Sequence, residues 1–348
     1  MNLLYVHFLS EIGGGEKYFV NIINDICINN NAVLITPNKS STFGRLINKQ
    51  VKQYSFGFMR NFGPFPWLSL SLLKNPLPVI RREKIEVLHY SDHYLTPTIL
   101  ILKLLTNVKI VFTSHGKWDV HFFINRVLLK LLNPRVVCST YTQYFRLVDF
   151  VKNITLVPMI VDETSFNATH KIDNNKIKVG IVGRFSPVKN HKLAFEIINL
   201  LDGSKFELHI FGDHTLDIAE ETDAYRDEIY RLIQKSKNIV HHGIVHGQDN
   251  IYQGIDILLQ TSFTEASSLV TVECQKYGIP LVCSLTEASS FAVIDGYNGF
   301  ICQDIGAYVD AINAIVENYE SFSKNSLNNS KRFLKESYIN NLMSIYER

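Results

Sequence analysis

Two basic residues stand in a turn that follows a strand-like run of the sequence. The stretch KVGIVGRFSPVKN contains an apolar run that ends at Gly183, then Arg184 and Lys189, and then a helix-like segment from about Asn190. The start of a helix leaves backbone N–H groups without partners, and such groups attract anions. Together with two cations they suit a diphosphate better than a single carboxylate. The stretch therefore predicts a diphosphate-binding turn; the alternative is a solvated basic loop.

Two glutamates, Glu265 and Glu273, follow a second strand-like run, IDILLQ, in the segment TSFTEASSLVTVECQKYGIP. The pattern places Glu265 in a strand-to-helix loop and Glu273 in a helix that ends at Gly278. A glutamate in an apolar helix costs stability unless it has a partner. Carboxylates accept hydrogen bonds from hydroxyl pairs such as those of ribose, and the free N–H groups between the glutamates can bind phosphate oxygens. The pair indicates a nucleotide-like ligand, whereas Glu265 alone has the alternative role of a helix N-terminal acid.

A repeating fold is needed to bring these residues together. Short apolar runs alternate with helix-length amphipathic segments along the chain, which is typical of parallel sheets with crossover helices. The strand candidates are residues 3–9, 32–36, 85–90, 108–114 and 135–139 in the first half, and 176–183, 206–212, 238–243, 255–262 and 278–284 in the second.

We therefore predict an α/β fold with two Rossmann-like domains in series, residues 1–165 and 166–330. Their parallel sheets are expected to face a central cleft at the carboxyl ends of the strands, where ligands bind in such folds. Residues 331–348 are predicted to form a helix that packs back on the first domain.

The motifs VGRFSPVKN and EASSLVTVE, in this order and spacing, resemble the paired signatures of glycosyltransferase family four. Members of that family are retaining enzymes of the GT-B fold with an E-x7-E motif. Shorter matches extend the resemblance over nearly the whole chain: GGGEKYFVNI (13–22), TSHG (113–116), VCSTYTQ (137–143), LVPMIVD (156–162) and GYNGFICQ (296–303).

The resemblance implies roles for residues of the second domain, which would bind the nucleotide-sugar donor. Arg184 and Lys189 would bind the donor diphosphate, beside Gly183 at the strand end. Glu273 would bind the ribose and Glu265 the transferred sugar. The backbone amides of Ser268 and Leu269 would complete the phosphate site.

In the first domain, the resemblance implies that Gly14 and Gly15 face the diphosphate and the acceptor, and that His115 contacts the donor sugar and takes part in catalysis. One departure concerns the sugar preference. Where the family commonly shows glycine, an aromatic residue and glycine or proline, this chain has Ala266, Ser267 and Ser268.

The activity that the resemblance implies is that of a retaining, metal-independent glycosyltransferase of the hexosyltransferase type. It would move a sugar from a nucleoside-diphosphate sugar to a glycan or lipid-diphosphate-linked acceptor in bacterial surface polysaccharide biosynthesis. The nucleotide sugar is a co-substrate, and no cofactor is expected. The sequence is consistent with the absence of a metal, since no D-x-D motif follows a strand and the histidines lack a ligand-like spacing.

Three other functions are alternatives. A sugar-nucleotide epimerase of the GT-B fold would use the same donor without an acceptor, and a non-catalytic scaffold subunit would only bind it. A nicotinamide dehydrogenase is disfavoured, because GGGEK is not the G-x-G-x-x-G fingerprint and no acidic residue ends the second strand.

Charge is distributed unevenly along the chain. Residues 1–165 contain 18 Lys and Arg and 10 Asp and Glu, a net +8, whereas residues 166–348 contain 17 and 23, a net −6. A basic first half suits an anionic lipid surface or a phosphorylated substrate, and chance variation is the alternative. Outside residues 51–84, the sequence has neither a basic helix nor the aromatic and basic pattern of a nucleic-acid-binding protein, so no nucleic-acid partner is expected.

The location of the protein follows from its apolar segments. No apolar stretch reaches the roughly 18 residues of a membrane span, and the five cysteines have no CxxC spacing, so we expect a cytoplasmic protein. Residues 51–84 mix aromatic and basic residues. They are expected either to cover the sheet as a loop and helix or to contact anionic lipid at the inner face of the cell membrane.

Overall fold

A computed structural model describes residues 1–7, 14–36, 42–55, 76–114, 119, 123–157, 172, 176–213, 221–265 and 268–348. The chain divides into two compact units. Unit 1 consists of Met1–Met159 together with Glu336–Arg348, and unit 2 consists of Ile160–Lys335.

Unit 1 is built on a seven-stranded parallel sheet in the order β3-β2-β1-β4-β5-β6-β7. Its central strands are continuous apolar runs because helices cover both faces of the sheet. The strands are β1 (Asn2–Val6), β2 (Asn31–Thr36), β3 (Lys52–Ser55), β4 (Val87–Tyr90), β5 (Lys109–Ser114), β6 (Arg135–Cys138) and β7 (Asn153–Leu156).

Four of the described helices cover one face of this sheet. Successive side chains of a strand point to opposite faces, and Leu4 and Val6 of β1 point to this one, where they share a core with buried residues of all four helices. The helices are α3 (Pro76–Arg82), α4 (Thr96–Leu105), α5 (Phe123–Leu132) and α6 (Tyr141–Leu147), and the earlier helices of the unit are α1 (Gly14–Ile26) and α2 (Thr42–Leu46).

The opposite face of the sheet packs against α1 and against the helix that follows unit 2 in the chain, α14 (Lys335–Glu347). Tyr346 of α14 is fully buried, and its hydroxyl lies 2.6 Å from Nδ1 of His89 and 3.2 Å from the hydroxyl of Tyr5. Nε2 of His89 lies 2.7 Å from the Thr113 hydroxyl. Because His89 is also buried, this chain of hydrogen bonds fixes α14 to the strands β1, β4 and β5.

Unit 2 has a six-stranded parallel sheet in the order β10-β9-β8-β11-β12-β13. Its strands are β8 (Ile177–Val182), β9 (Phe206–Phe211), β10 (Ile239–Gly243), β11 (Ile257–Gln260), β12 (Leu281–Ser284) and β13 (Gly299–Cys302). Its helices are α7 (His191–Leu200), α8 (Glu221–Lys235), α9 (Gln248–Tyr252), α10 (Leu269–Glu273), α11 (Glu287–Ala292), α12 (Ile305–Glu317) and α13 (Tyr319–Ser330).

The buried residues of unit 2 form two main apolar clusters, and both include residues of the sheet. One includes Val179 and Ile181 of β8 with α7 and α12, and the other includes Leu258 of β11 with Tyr252 and Cys274. The fold class predicted from the sequence, two Rossmann-like α/β units with parallel sheets, is therefore confirmed. In the part of the chain that the structure describes, no helix is long and apolar enough to span a bilayer.

Candidate functional site

The turn after β8 lies unusually close to the end of β9. The amide of Gly183 donates to the Phe211 carbonyl at 2.9 Å, and the amide of Phe185 donates to the Asp213 carbonyl at 3.1 Å. A Cβ atom at Gly212, whose φ is +138°, would lie 2.1 Å from the Gly183 carbonyl oxygen. Glycine at position 212 therefore allows the two backbones to meet, and the turn spreads over the strand ends.

Lys189 ends a short 3-10 turn, Pro187–Lys189, and lies back over the strand end. A Cβ atom at Gly183 would lie 3.4 Å from Cε of Lys189, so the lysine stem covers this glycine. The Lys189 ammonium forms an ion pair with Glu265, which follows β11 and also accepts a hydrogen bond from the Ser262 hydroxyl at 3.0 Å. The lysine side chain is 25% exposed and the glutamate 13%, so the pair is partly buried but open to solvent on one side.

Arg184 adds a second cation to this edge of the sheet. Its side chain is exposed, and among the residues that the structure describes it has no hydrogen-bond or ion-pair partner. An arginine without an intramolecular partner keeps all five N–H donors for a ligand. Two of the predicted diphosphate-binding residues, Arg184 and Lys189, therefore flank Gly183 at the carboxyl end of β8.

His191 lies at the start of α7, two residues after Lys189. It is fully buried, with its ring edge-to-face against Phe185. Burial lowers the pKa of its imidazole to about 4, so the ring is neutral near pH 7. The positive charge at the turn thus belongs to Arg184 and Lys189.

Ser268 precedes α10 and is buried, and its hydroxyl accepts a hydrogen bond of 3.0 Å from the Gln260 side-chain amide. Leu269 is the first residue of α10. Both therefore follow the same strand, β11, as Glu265 does. Ala266 and Ser267, where this chain departs from the residues common in glycosyltransferase family four, lie outside the described residues.

Glu273 ends α10 and is 6% exposed. Its carboxylate accepts hydrogen bonds of 2.7 Å from the Gln248 side-chain amide and from the Tyr252 hydroxyl. Lys276 donates to the other end of the Gln248 side chain at 3.1 Å. These contacts fix the orientation of the carboxylate.

The predicted residues of unit 1 are placed only in part. Gly14 and Gly15 are the first two residues of α1. His115 lies outside the described residues.

Two histidine–aspartate pairs that the sequence analysis missed lie after β1, β4 and β5 of unit 1. Nδ1 of His7 is 3.4 Å from Asp92 and 3.3 Å from the Ser91 hydroxyl. Nδ1 of His93 is 3.4 Å from Asp119. The sequence signal was the polar run SDH after β4, which meets β1 and β5 only through the strand order.

The second ring nitrogens of both histidines are buried without a partner. Nε2 of His7 and Nε2 of His93 have no hydrogen bond within the described chain, and His7 is 2% exposed. A buried polar nitrogen without a partner is costly, so an unfilled one marks a position where a ligand hydroxyl or water binds. The strand order reverses beside β1, where open parallel sheets bind ligands.

A metal-binding cluster is not found in the described parts of either unit, where no three His, Cys, Asp or Glu side chains converge. Among the described residues, the site of unit 2 has two cations, two carboxylates and backbone groups. That of unit 1 consists of imidazoles, carboxylates and hydroxyls.

Comparison with known proteins gives these sites a context. Residues 162–332 match the sequence profile of the family described as "Glycosyl transferases group 1". This segment is a glycosyltransferase group 1 domain. The domain coincides with nearly all of unit 2, Ile160–Lys335, and includes the Lys189–Glu265 pair and Glu273.

Relatives cover the whole chain. The O-antigen biosynthesis glycosyltransferase WbnH of Escherichia coli is 24% identical over 358 residues, which cover 99% of this chain and 98% of WbnH. An uncharacterized 41.2 kDa protein of the cps region of Klebsiella pneumoniae is 22% identical over 376 residues, 98% of this chain and 99% of its own. Together with the group 1 domain, these similarities identify the chain as a glycosyltransferase.

Solved structures share the fold. The crystal structure of HepE from Anabaena in complex with UDP superposes with a TM-score of 0.83 at 15% sequence identity, over 100% of both chains. The crystal structure of HepE in complex with UDP-glucose superposes with a TM-score of 0.79 at 17% sequence identity, over 99% of both chains. The GT-B type of architecture expected from the sequence is thereby confirmed.

The contact between Gly212 and Gly183 predicts an unequal effect of two glycine substitutions. Gly212→Ala and Gly243→Ala both place a Cβ at positive φ, +138° and +68°, but only at position 212 does the new atom meet backbone, since nothing lies within 4 Å of it at Gly243. We expect Gly243→Ala to lower the free energy of unfolding by about 1 kcal/mol and Gly212→Ala by about 3 kcal/mol, measured by urea denaturation. Equal losses would contradict the close approach.

Proposed function

We propose that the chain transfers a sugar from a nucleoside-diphosphate sugar to a glycan or lipid-linked acceptor in surface polysaccharide biosynthesis. The observation that carries this proposal is the convergence of Lys189 and Glu265 at the carboxyl ends of β8 and β11, with Arg184 beside them. Support for the pathway comes from WbnH, whose name assigns it to O-antigen biosynthesis.

The donor is proposed to be a nucleoside-diphosphate sugar of the kind that HepE binds, namely UDP-glucose or a related compound. Arg184 and Lys189 would hold the diphosphate next to Gly183, and the amides of Ser268 and Leu269 would bind the same group. Two cations match the charge of a diphosphate, and arginine pairs with it through two N–H groups at once.

The two glutamates are proposed to bind the hydroxyls of the donor, Glu273 those of the ribose and Glu265 those of the transferred sugar, as in the E-x7-E motif of glycosyltransferase family four. The fixed orientation of Glu273 supports this role, because a hydroxyl pair is recognised only by a carboxylate held in one position. The ion pair of Glu265 with Lys189 joins the sugar-binding carboxylate to the diphosphate-binding cation.

For the chemical step we propose metal-independent transfer with retention of the anomeric configuration. As the bond between the sugar and the diphosphate breaks, negative charge grows on the leaving oxygen, and Arg184 and Lys189 stabilise it. The acceptor oxygen forms its bond to the anomeric carbon on the face that the diphosphate leaves, and a diphosphate oxygen takes the acceptor proton.

The acceptor is proposed to bind unit 1. The pairs His7–Asp92 and His93–Asp119 hold each imidazole by Nδ1 and leave Nε2 for a hydroxyl of the acceptor. Gly14, Gly15 and His115 keep the roles that the family resemblance gives them, with His115 at the transferred sugar. A cytoplasmic location, at the inner face of the membrane if residues 51–84 contact lipid, is also part of this proposal; residues 56–75 lie outside the described chain.

Two other functions are distinguished by turnover. A scaffold subunit would bind the donor and leave it intact, and an epimerase would convert it without an acceptor. The exposed Arg184, which has no hydrogen-bond or ion-pair partner within the described chain, favours diphosphate binding in all three functions.

Donor binding predicts that UDP and UDP-glucose raise the melting temperature of the full chain, because a ligand that binds only the folded state stabilises it. Lys189→Ala should abolish this shift and lower turnover by about a hundredfold, the effect of losing an electrostatic donor at a developing anion. Arg184→Ala should likewise reduce the rise in melting temperature and the turnover.

The matched control is Lys192→Ala, since Lys192 lies on α7 and pairs with Glu228. In the Lys192→Ala variant, UDP and UDP-glucose should raise the melting temperature as in the wild type, and the turnover should be unchanged. A shift that survives in Lys189→Ala would contradict the diphosphate role of this lysine, and a wild-type protein that no nucleoside diphosphate stabilises would contradict the donor class.

The acceptor proposal predicts that Asp92→Asn and Asp119→Asn separate two activities. Each should lower transfer to mono- and oligosaccharide or polyprenyl-diphosphate-sugar acceptors by about tenfold or more, because the amide no longer orients the imidazole. The stabilisation by UDP and the slow hydrolysis of the donor by water should stay at wild-type values. Equal losses of hydrolysis and transfer would place the aspartates in the donor site instead.

Retention predicts a product with the anomeric configuration of the donor, read from the proton coupling constant of the anomeric centre by NMR. Metal independence predicts the same initial rate with EDTA as with added Mg²⁺ or Mn²⁺. An inverted product would exclude the proposed front-face step, and loss of activity in EDTA that Mg²⁺ restores would exclude the metal-free one.

A further inference from the structure

Exposed large apolar side chains are concentrated on helices α4, α5 and α6 of unit 1. Their exposed fractions are 78% for Leu104, 54% for Leu105, 78% for Phe123, 63% for Leu131 and 67% for Phe145. Single exposed apolar residues are ordinary, but a group on neighbouring elements marks a surface that binds something.

The exposed residues lie on outward stripes of the helices. On α4, Ile99 and Leu102 are buried against the sheet, whereas Ile101, Leu104 and Leu105 point away from it. On α5, Leu129 and Leu132 are buried, while Phe123, Ile124 and Leu131 point outward. Both helices therefore have apolar residues on two sides, although only one side is covered by the sheet.

The three helices form one continuous surface. The Lys103 ammonium on α4 donates to the Leu132 carbonyl at the end of α5. The Arg126 guanidinium on α5 lies 5.4 Å from the ring centre of Phe150, just after α6. We call the outward residues of α4, α5 and α6 the α4–α6 surface.

The exposed charges of the three helices are basic. The helices contain Lys103, Arg126, Lys130 and Arg146 and no Asp or Glu, and of these four residues Lys103 and Arg146 are half-buried. Arg126 and Lys130 are exposed on α5, between Phe123 and Leu131. The first acidic residue after α6 is Asp149.

We propose that the α4–α6 surface docks on a lipid bilayer that contains anionic headgroups. Apolar side chains that enter the interface between headgroups and acyl chains, with arginine and lysine among them, are the arrangement that such a surface binds. This surface differs from residues 51–84, and its binding does not depend on the sugar chemistry of the site.

A second copy of the chain fits the surface less well. In a two-fold dimer the same patch meets itself, so Arg126 and Lys130 would face like charges with no carboxylate from these helices between them. Anionic lipid supplies the opposite charge that the helices lack.

The test is sedimentation of the purified full chain with phosphatidylcholine vesicles and with vesicles that also contain phosphatidylglycerol. The wild type should bind the anionic vesicles at least about tenfold more tightly than the neutral ones, because each basic side chain near the surface adds to the attraction. Leu104→Ser combined with Leu131→Ser should weaken that binding by about tenfold or more.

The matched control replaces two exposed apolar residues elsewhere in unit 1, Ile28→Ser and Leu46→Ser. These side chains are 65% and 51% exposed and lie after α1 and at the end of α2. The control should bind vesicles as the wild type does. Circular dichroism and thermal unfolding of both double variants show whether each is folded.

The charged half of the proposal is tested by Arg126→Glu with Lys130→Glu, which should remove the preference for phosphatidylglycerol. Vesicle binding that is the same in the Leu104 and Leu131 variant as in the control would overturn the proposal. A second result would also overturn it. If light scattering shows that the wild type is a dimer, that the Leu104 and Leu131 variant is a monomer, and sedimentation shows that neither binds vesicles, the surface joins two copies of the chain.

Discussion

The contact between two strand ends, at Gly183 and Gly212, is the constraint on which the site of unit 2 depends. Because no side chain stands between these backbones, the turn after β8 can spread over the sheet edge and the stem of Lys189 can cover Gly183. The lysine then reaches Glu265, 76 residues further along the chain. The ammonium of Lys189, the carboxylate of Glu265 and the backbone of the turn are thus brought together because positions 183 and 212 are glycines. A larger residue at position 212 would push the two backbones apart, and one at position 183 would meet the lysine stem.

The two units use the same architecture for different chemistry. In both, loops at the carboxyl ends of parallel strands carry the polar groups, as expected for open α/β sheets. Unit 2 presents Arg184 and Lys189, which suit a phosphorylated ligand, and unit 1 presents imidazoles oriented by carboxylates, which suit a hydroxyl. The division of polar groups follows the division of the chain into unit 1 and a group 1 domain.

The sequence predicted what depends on local pattern. Strands β8 and β11 were found because they are buried apolar runs, and the sequence predicted that Lys189 and Glu265 follow these two runs, as they do in the structure. The strands β3, β7 and β13 were missed: all three lie at sheet edges, and the first two are half-exposed and polar. The His7–Asp92 pair was missed for another reason, since its members are far apart in sequence and meet only because β1 and β4 are neighbours.

The position of α14 affects how unit 1 is made. Because α14 belongs to unit 1 but follows unit 2 in the chain, the ribosome completes all of unit 2 before it synthesises α14, which covers one face of the unit 1 sheet together with α1. Until then His89 and Tyr5 lack the Tyr346 hydroxyl. Domains usually fold in the order of their synthesis. Here the unit whose synthesis begins first is the last to become complete, and the part of its sheet that α14 covers stays exposed throughout the synthesis of the other.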